Sequence, residues 1–460
     1  MNLKSIAISF YYYLPPRLRQ LRSNYRQVHE FYRDAQWWPK ERISAWQLER
    51  LQHIVKYAYE NTSGYHQLYD EAGVKPEDIQ SLGDIKILPL TDKALLRHNI
   101  KDFTVDSSIA GHLSRYTTGG SSGTPFEFYS DYKNQGAELA FVESAWESFG
   151  WKTTDRGIRL RGNMIGGKDD IIKKTGYRKY VLSSFYLTDE NYDHYLKAIE
   201  DSRATYLHVY PSTITDLSHL ILSHNDEGRL KIKHILLASE NLYPWQEEII
   251  KAAFPEATLV SFYGHTERAI MAPWCEREDK YHLNPFYGYT EILNDKNLEV
   301  AEGEIGELVG TSFWMHGTPF IRYRTNDFAE KGPSVCKKCG RNFQVLNKID
   351  GRLSEIIIGK TGRRLSLTVF AGSVMHGDTF DHIKQFRFVQ KEKGVVSLKV
   401  IPDSRFDKTD MRRLEKSLGA FLSDDFVFSI QLVESLERTK RGKFSYLEQH
   451  LNVDRSDNSQ

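Results

Sequence analysis

The pattern of hydrophobic and polar positions predicts short strands that alternate with amphipathic helices. Between residues 115 and 330, apolar β-rich runs at 205–210, 234–239 and 258–264 are separated by segments with helical spacing. Strand–helix–strand order of this kind is typical of a parallel sheet with crossover helices. Ligands then gather at the carboxyl ends of the strands.

The regions on either side of this core have different patterns. Residues 45–72 carry two helical patterns interrupted at Asn61–Gly64, and Thr91–Asp92 marks a further turn and helix cap. Residues 304–310 and 319–330 are typical of strands in a more antiparallel region. The predicted fold class is therefore α/β, with a large N-terminal domain of parallel and mixed sheets.

After Gly351 the pattern changes to strands and one amphipathic helix, typical of a small α+β domain. The strands are expected at 353–358, 384–391 and 394–401, and the helix at 407–422. The predicted organisation is an N-terminal arm at 1–44, a large domain at 45–351, a small C-terminal domain at 352–453 and a tail at 454–460.

Composition excludes several classes of protein. The 460 residues are 40% hydrophobic and 27% charged, which suits a globular core, and the net charge of +1 does not favour nucleic acid. Three cysteines argue against a disulfide scaffold and for a reducing, cytoplasmic compartment. No run reaches the roughly 18 apolar residues that cross a bilayer.

The N-terminal arm is basic and aromatic. Lys4 precedes a short apolar run at Ile6–Leu14, but Pro15–Pro16 and several arginines follow where a signal peptide would have a cleavage site. We expect an uncleaved arm, which could either contact an anionic surface of the inner membrane or pack on the body of the protein.

One loop has the residue types that bind phosphate. Residues 116–125 read YTTGGSSGTP, in which glycines allow close backbone approach and hydroxyls donate to phosphate oxygens. No Gly-Lys-Ser/Thr ends the loop and the GxGxxG spacing is absent, so it is neither a Walker loop nor a dinucleotide fingerprint. Alone, such a cluster is also compatible with an ordinary loop.

Four further segments, with this loop, resemble in order the motifs of the adenylate-forming superfamily of acyl-CoA synthetases and adenylation domains. The five segments are TTGGSSGTP (117–125), YGHTE (263–267), RYRTND (322–327), GRLSE (351–355) and TKRGK (439–443). Within the superfamily, the chain resembles the phenylacetate–CoA ligase family over most of residues 45–450, and especially its CapK-like members linked with polysaccharide biosynthesis. The segments that carry this closer resemblance are 51–93, 211–213, 239–242, 320–327 and 336–352.

The resemblance implies binding of ATP and AMP. The residues that would hold the β- and γ-phosphates are Thr117, Thr118, Gly119, Gly120, Ser121, Ser122, Gly123 and Thr124. The residues that would line the rest of the nucleotide pocket are Ser239, Glu240, Tyr263, Gly264, His265, Thr266 and Asp327. Among these, Tyr263 would stack on adenine and Asp327 would accept hydrogen bonds from the ribose hydroxyls.

The resemblance also assigns catalytic roles. Lys443 would bridge the substrate carboxylate and the α-phosphate, Arg352 would contact the ribose–phosphate side, and Glu267 would contact Mg²⁺. A hinge near Arg352 implies that the small domain acts as a mobile lid that brings Lys443 into the site and withdraws it. The chain departs from the family at Leu353–Glu355, where two acidic residues are usual, and after Pro125, which lacks a neighbouring lysine.

The cysteines predict a structural zinc site. The pair Cys336 and Cys339 supplies half a tetrahedral set, and Cys275 with His282 completes it if the fold brings these segments together. With all four ligands taken from the protein, no position stays open for catalysis. The alternative is a tight turn with free buried thiols.

The function predicted from these features is an ATP-dependent acid–thiol ligase that uses coenzyme A. One alternative delivers the acyl group to a carrier protein, an amine or a sugar in capsule or glycan assembly, and another is a non-catalytic nucleotide-binding relative. The acid itself is a small carboxylic acid of unassigned type. Its pocket could include Tyr210, Pro211, Gly264 and His265, or several of the aromatic residues between Phe141 and Trp151. Among those aromatic residues, Trp146, Phe149 and Trp151 are more typical of core.

Overall fold

A computed structural model of the chain describes residues 24–118, 126–162, 171–176, 178–352, 355–367, 382–422, 425–439 and 442–451. The described α-helices are α1 (Tyr25–Ala35), α2 (Lys40–Asn61), α3 (Ser63–Glu71), α4 (Lys93–His98), α5 (Ser107–Ala110), α6 (Tyr132–Glu147), α7 (Tyr192–Ser202), α8 (Pro211–Ser223), α9 (Pro244–Ala253) and α10 (Lys408–Leu422). Short 3₁₀ helices lie at Pro76–Asp78, Leu82–Ile87 and Asp189–Asn191.

The strands occupy most of the chain after residue 112. The described strands are β1 (Leu113–Thr117), β2 (Glu127–Asp131), β3 (Gly157–Arg161), β4 (Ile172–Gly176), β5 (Lys179–Ser183), β6 (Tyr206–Val209), β7 (His234–Leu237), β8 (Thr258–Gly264), β9 (Met271–Pro273), β10 (Tyr281–His282), β11 (Gly288–Leu293), β12 (Ile305–Ser312), β13 (Tyr323–Lys331), β14 (Val345–Arg352), β15 (Ile356–Ile358), β16 (Arg364–Ser366), β17 (Ile383–Glu392), β18 (Val395–Pro402), β19 (Val427–Leu432) and β20 (Leu447–Gln449).

Contacts divide the chain into two compact units. Unit 1 comprises Met1–Thr154 and Val260–Ile349, and unit 2 comprises Asp155–Leu259 and Asp350–Gln460. The predicted domain boundaries, including the one at residues 351 and 352, stay predictions. Within the described residues, no helix is both long and apolar enough to cross a membrane.

Unit 1 is built on an antiparallel sheet in the order β10-β14-β13-β12-β11, with β1 and β2 forming a separate hairpin. Helices α2 and α3 cover the core, where Ile54 and Tyr65 belong to the same buried cluster as Leu308 and Phe320. The turn between these helices is capped by Thr62, whose hydroxyl accepts from the N–H of Tyr65. The two predicted helices are thereby confirmed.

Unit 2 contains the parallel sheet that the strand–helix alternation predicts. The strands run in the order β4-β5-β3-β6-β7, and the β3–β5, β3–β6 and β6–β7 pairs are parallel. Crossover helices α7 and α8 connect β5 to β6 and β6 to β7. The carboxyl ends of β3, β5, β6 and β7 therefore lie at one edge, where ligands of such sheets bind.

The C-terminal part of unit 2 is the expected small α+β element. Its sheet has the order β19-β18-β17-β20, and α10 buries Leu414 and Leu418 in the same cluster as Phe388 and Leu398. Its strands and helix match the predictions at 384–391, 394–401 and 407–422, whereas residues 353–354 of the first predicted strand lie outside the described residues. The predicted α/β class with a small C-terminal domain is confirmed.

Candidate active site

Lys443 lies at the carboxyl edge of the parallel sheet in unit 2. Its Nζ donates to the backbone oxygen of Ser239 at 2.8 Å and lies 5.6 Å from the ring centroid of Tyr210. Ser239 follows β7 with a φ of 72°, a left-handed conformation that turns the chain sharply at the end of the strand. The ammonium is thus held where the parallel-sheet rule places a ligand.

Glu240 connects the loop that carries Lys443 to the parallel sheet. Its Oε2 accepts from the N–H of Ser212 at 2.9 Å, and its Oε1 accepts from the N–H of Phe444 at 3.3 Å. Burial raises the pKa of Glu240, while the Ser212 N–H and the charge of Lys443 oppose that rise. One carboxylate therefore joins the first turn of α8 to the residue after Lys443.

A partly buried ion pair also fixes the loop that carries Lys443. Arg438 contacts Asp216 of α8, and its Nη1 donates to the backbone oxygen of Gly442 at 3.0 Å. Gly442 has a φ of 74°, and a Cβ there would stand 2.5 Å from the Cα of Gly162, so only glycine fits. Residues 440–441 of the TKRGK motif lie outside the described residues.

The hinge motif begins at the end of β14. Gly351 has a φ of 87°, and a Cβ there would stand 2.3 Å from Oε2 of Glu355. The Nδ2 of Asn241 donates to the same Glu355 oxygen at 2.9 Å, which fixes this turn against the end of β7. Arg352 closes β14, but its side chain, with residues 353–354, lies outside the described residues.

In unit 1, the predicted adenine and ribose residues contact each other. The hydroxyl of Tyr263, at the end of β8, donates to Oδ2 of Asp327 on β13 at 2.7 Å. The N–H of Asp327 donates to Oγ1 of Thr325, and Asn326 between them has a φ of 58°. This local turn, together with the tyrosine, fixes the orientation of a buried carboxylate.

Glu267 is fixed in the same unit. Its Oε1 accepts from the hydroxyl of Tyr323 at 3.1 Å, and its Oε2 lies 3.3 Å from Nδ1 of His265. The N–H of Ile270 donates to Nε2 of His265 at 3.2 Å, so in a neutral ring the proton sits on Nδ1 and donates to Glu267. Of the neighbouring motif residues, Gly264 is the last residue of β8 and Thr266 lies in the turn that follows.

Only the ends of the phosphate loop are described. Thr117 ends β1, and the N–H of Thr118 donates to the oxygen of Phe126 at 2.9 Å, so the loop closes a hairpin between β1 and β2. The predicted phosphate-binding residues outside the described residues are Gly119, Gly120, Ser121, Ser122, Gly123 and Thr124.

A buried ion pair that the sequence did not reveal anchors the RYRTND segment. Arg322 donates to both oxygens of Glu291, at 2.9 and 2.7 Å, and its Nη1 also donates to the backbone oxygens of Lys86 and Leu88. Burial raises the pKa of Glu291, and the adjacent guanidinium opposes the rise. The only sequence signal was a charged residue within each of two largely apolar segments.

Replacing Arg322 with alanine is expected to lower the free energy of unfolding by about 3–5 kcal/mol, because it leaves Glu291 buried and unpaired. The matched control is Arg26→Ala, which breaks an exposed pair with Glu30 and is expected to have a much smaller effect on the free energy of unfolding. Urea unfolding followed by tryptophan fluorescence measures both. Equal effects of the two substitutions would contradict this assignment.

The predicted metal ligands meet in unit 1. The ligand atoms of Cys275, His282, Cys336 and Cys339 all lie within 4.8 Å of one another. The Sγ atoms of Cys275 and Cys336 are 3.9 Å apart, and Sγ of Cys339 lies 3.7 Å from Nε2 of His282. A tetrahedral zinc with bonds of about 2.3 Å to sulfur and 2.0 Å to nitrogen needs separations of about 3.5–3.8 Å. The cluster fits that ion.

Backbone hydrogen bonds shape the two segments that carry the cysteines. The N–H of Cys275 donates to the backbone oxygen of Lys280. The N–H of Gly340 donates to the backbone oxygen of Cys336, which closes a tight turn, or knuckle, between these two residues. Burial raises the pKa of Cys336 to about 12 and lowers the pKa of His282 to about 4. The Cys336 thiol is therefore protonated and the His282 imidazole is neutral, and a metal cation would displace the proton of this thiol on binding.

The remaining residues predicted for the acid pocket form two groups, one beside Lys443 and one in the hydrophobic core. Tyr210, which precedes Pro211 at the start of α8, contacts Lys443 as described above. Phe141 and Trp151 are buried, and Trp146 packs on Trp151 with ring centroids 5.1 Å apart. Trp146 and Trp151 belong to the core of unit 1, as the sequence favoured. Phe141 is also part of that core, whereas Phe149 is only half-buried.

Proteins of known activity resemble the chain over most of its length. A phenylacetate-coenzyme A ligase of Aromatoleum evansii is 27% identical over 342 residues, which are 69% of this chain and 72% of the relative. Protein CapK of Staphylococcus aureus is 20% identical over 405 residues, which are 86% of this chain and 87% of the relative. The chain matches no protein-family model.

The fold is that of solved coenzyme A ligases. A 2-hydroxyisobutyryl-CoA ligase in the postadenylation state, bound to R3-HIB-AMP, matches with a TM-score of 0.71 at 17% identity, over 97% of this chain and 95% of that one. The thioesterification state of that ligase, with 2-HIB-AMP and CoA, matches with a TM-score of 0.58 at 18% identity, over 92% of each chain. The chain therefore shares the fold of these ligases, and its sequence is similar to those of the phenylacetate-coenzyme A ligases and of CapK.

Proposed function

We propose that the chain activates a carboxylic acid with ATP and passes the acyl group to coenzyme A. In the first step a carboxylate oxygen bonds to the α-phosphorus of ATP while the bond to pyrophosphate breaks. In the second step the sulfur of coenzyme A bonds to the acyl carbon, AMP leaves, and the thiol gives up its proton. The activities named for the ligase relatives support both steps.

The position of Lys443 is the observation that carries this proposal. The first step brings two anions together, so it needs a cation directed at the place where charge develops. The Nζ of Lys443 lies beside Ser239 and Tyr210 at the carboxyl ends of parallel strands, and Glu240 holds the loop in place. We assign Lys443 the role of contacting the substrate carboxylate and the α-phosphate.

The residues of unit 1 have supporting roles in this proposal. Asp327 would accept from the ribose hydroxyls, Tyr263 would stack on adenine, and Thr117 and Thr118 would begin the phosphate-binding loop. Mg²⁺ would neutralise phosphate oxygens when bound. The carboxylate of Glu267 suits that ion, because it is an oxygen ligand held in one orientation by Tyr323 and His265.

We also propose that Cys275, His282, Cys336 and Cys339 hold a structural zinc ion. The donor set of three sulfurs and one imidazole nitrogen is one that zinc prefers, and the measured separations fit tetrahedral coordination. Because four protein ligands fill the coordination sphere, the ion would stabilise unit 1 and take no part in the reaction.

The contact between Asp216 and Arg438 yields a specific prediction. Replacing Asp216 with asparagine is expected to slow adenylation about 10- to 100-fold, because Arg438 loses its partner and no longer fixes the backbone before Lys443. Formation of the thioester from supplied acyl-adenylate and coenzyme A should stay near the wild-type rate.

The matched control is Asp189→Asn, which removes an exposed carboxylate of the same unit. Single-turnover assays of each half-reaction measure the effect. An equal loss in both half-reactions would show that Asp216 serves stability alone, and no loss in either would remove its positioning role.

The proposed function is tested by pyrophosphate release from ATP and Mg²⁺ with aryl, fatty, hydroxy and amino acids, each with and without coenzyme A. Acid-dependent release that rises with coenzyme A, with a thioester product, is expected. In a second candidate, suggested by the resemblance to CapK-like proteins linked with polysaccharide biosynthesis, a carrier protein, amine or sugar accepts the acyl group. Acid-dependent release without a response to coenzyme A would select that candidate, and ATP binding without release would select a non-catalytic binder.

A further inference from the structure

A group of buried polar side chains lies at the carboxyl ends of β3, β5 and β6, beside the residues assigned above. Arg161 is the last residue of β3, and the N–H of Ser184, just after β5, donates to its backbone oxygen at 3.0 Å. Tyr210 follows β6, which pairs with β3 in parallel. Three neighbouring strand ends therefore present a guanidinium, a hydroxyl and an aromatic ring at the ligand-binding edge of the sheet.

The guanidinium of Arg161 forms no direct ion pair among the described residues. Burial lowers the pKa of Arg161, and the nearby Tyr210 and Glu240 oppose that lowering. The Nη2 of Arg161 contacts Nε2 of His208, and its Cζ lies 5.1 Å from the ring centroid of Tyr210. Burial and the neighbouring positive charges hold the pKa of His208 well below its usual range, so this imidazole is neutral. The Nε of Arg161 is buried and makes no hydrogen bond within the described part of the chain.

The hydroxyl of Ser184, a second polar group at these strand ends, also lacks a hydrogen-bond partner among the described residues. Ser184 is 4% exposed. A Cβ on Gly442 would stand 3.0 Å from this oxygen, so the loop that carries Lys443 packs directly against the serine. Buried donors without partners are costly, and a ligand that accepts hydrogen bonds would remove that cost.

Lys443 and Arg161 share the ring of Tyr210. The Nζ of Lys443 lies 5.6 Å from the ring centroid and the Cζ of Arg161 lies 5.1 Å from it. If the lysine contacts the carboxylate that is activated, the part of the acid that crosses the tyrosine ring reaches the guanidinium. A guanidinium binds carboxylates through a planar set of donors that an alkyl chain cannot use.

We propose that Arg161 and Ser184 bind a second anionic group of the acid, so that the substrate is a dicarboxylic acid rather than a monocarboxylic acid. This inference rests on the proposed function, since it assigns the far end of the same substrate pocket. Arg161 is a specificity residue in this account, and Lys443 acts on the other end of the acid.

The test compares acids matched in length that differ in the second carboxylate: glutarate against valerate, adipate against hexanoate, and terephthalate against p-toluate. Pyrophosphate release is measured for each with ATP and Mg²⁺. We expect kcat/KM for the preferred dicarboxylate to exceed that of its monocarboxylic partner at least about 100-fold. The reason is that a monocarboxylate provides no acceptor for the guanidinium of Arg161 and the hydroxyl of Ser184.

Single substitutions test which residues cause the preference for a dicarboxylate over the matched monocarboxylate. Arg161→Met should remove most of the 100-fold preference without changing KM for ATP, Arg161→Lys should restore part of it, and Ser184→Ala should weaken it about 10-fold. The control Arg159→Met, at an exposed arginine of the same strand, should leave the preference unchanged. Circular dichroism and ATP binding establish that each variant is folded, and Ser184→Ala alone decides the question if Arg161→Met does not fold.

The outcomes separate this inference from the proposed function. Release with monocarboxylates alone, or equal kcat/KM within each pair, would overturn the dicarboxylate assignment and leave adenylation intact. An increase in KM for ATP with an unchanged acid preference in Arg161→Met would place the guanidinium on the nucleotide and also overturn it. The absence of release with every acid would contradict both proposals.

Discussion

Replacing Lys443 with alanine is expected to slow acid-dependent pyrophosphate release about 100- to 1000-fold. Removal of one preorganised charge or donor from a developing anion typically has an effect of this size. The Nζ of Lys443 is positioned by Ser239 and by the loop that Glu240 anchors, so alanine deletes the cation without altering the sheet. ATP binding and thermal stability should therefore stay close to those of the wild type.

The matched control for this substitution is Lys391→Ala, at an exposed lysine of the same unit. Quenched-flow measurement of pyrophosphate release gives the rate for each variant. Thioester formation from supplied acyl-adenylate and coenzyme A should be largely retained in Lys443→Ala, because that step needs no cation between two anions. Normal adenylation by this variant would remove the role assigned to Lys443.

Replacing Cys336 with serine is expected to abolish binding of the proposed zinc ion and to destabilise unit 1 severely. Structural zinc in small domains contributes about 10–16 kcal/mol of apparent binding free energy, which becomes folding free energy when the unfolded chain has no preformed site. Cys336 lies 1% exposed within the cluster, so serine leaves an incomplete ligand set in a buried position. Lys338→Ala, at an exposed position of the same knuckle, is the matched control.

Elemental analysis and thermal unfolding measure this effect. Purified wild-type protein should contain about one zinc ion per chain, and Cys336→Ser should contain much less and melt at a lower temperature. Treatment of the wild type with a strong chelator should reproduce the loss. Metal-free protein that retains full stability would rule out the zinc assignment.

The local features of this fold could be predicted from the sequence. The Asn61–Gly64 interruption predicts the break between α2 and α3, and Asp92 caps α4 by accepting from the N–H of Leu95. Apolar runs at 206–209 and 234–237 form the parallel strands that they predict. These features depend on residues close in the chain, so their periodicity and capping carry the information.

The metal cluster was predicted only conditionally, because its two halves are distant in sequence. The β10–β14 pair, with His282 opposite Val345, brings the segments together. Whether all four side chains meet depends on the register of this strand pair. That register cannot be predicted from the spacing of the cysteines and the histidine in the sequence.

The residues that sequence reasoning missed depend on tertiary contacts. Arg161 and Ser184 become neighbours only when β3 and β5 pair in parallel, and Arg438 reaches Asp216 only when the C-terminal element folds within unit 2. A charged residue at the carboxyl end of a parallel strand is a candidate ligand contact. The strand that ends at Arg161 was not among those predicted, so this rule could not be applied to it.

The fate of the carboxylate oxygen tests the central claim most directly. The acid that gives the fastest pyrophosphate release is labelled with ¹⁸O in its carboxylate and converted with ATP and coenzyme A, and the products are analysed by mass spectrometry. Formation of an acyl-adenylate predicts one ¹⁸O atom in the phosphate of AMP, because the oxygen that bonds to the α-phosphorus stays there when sulfur displaces AMP. Label in inorganic phosphate together with ADP, or AMP without label, would contradict the account.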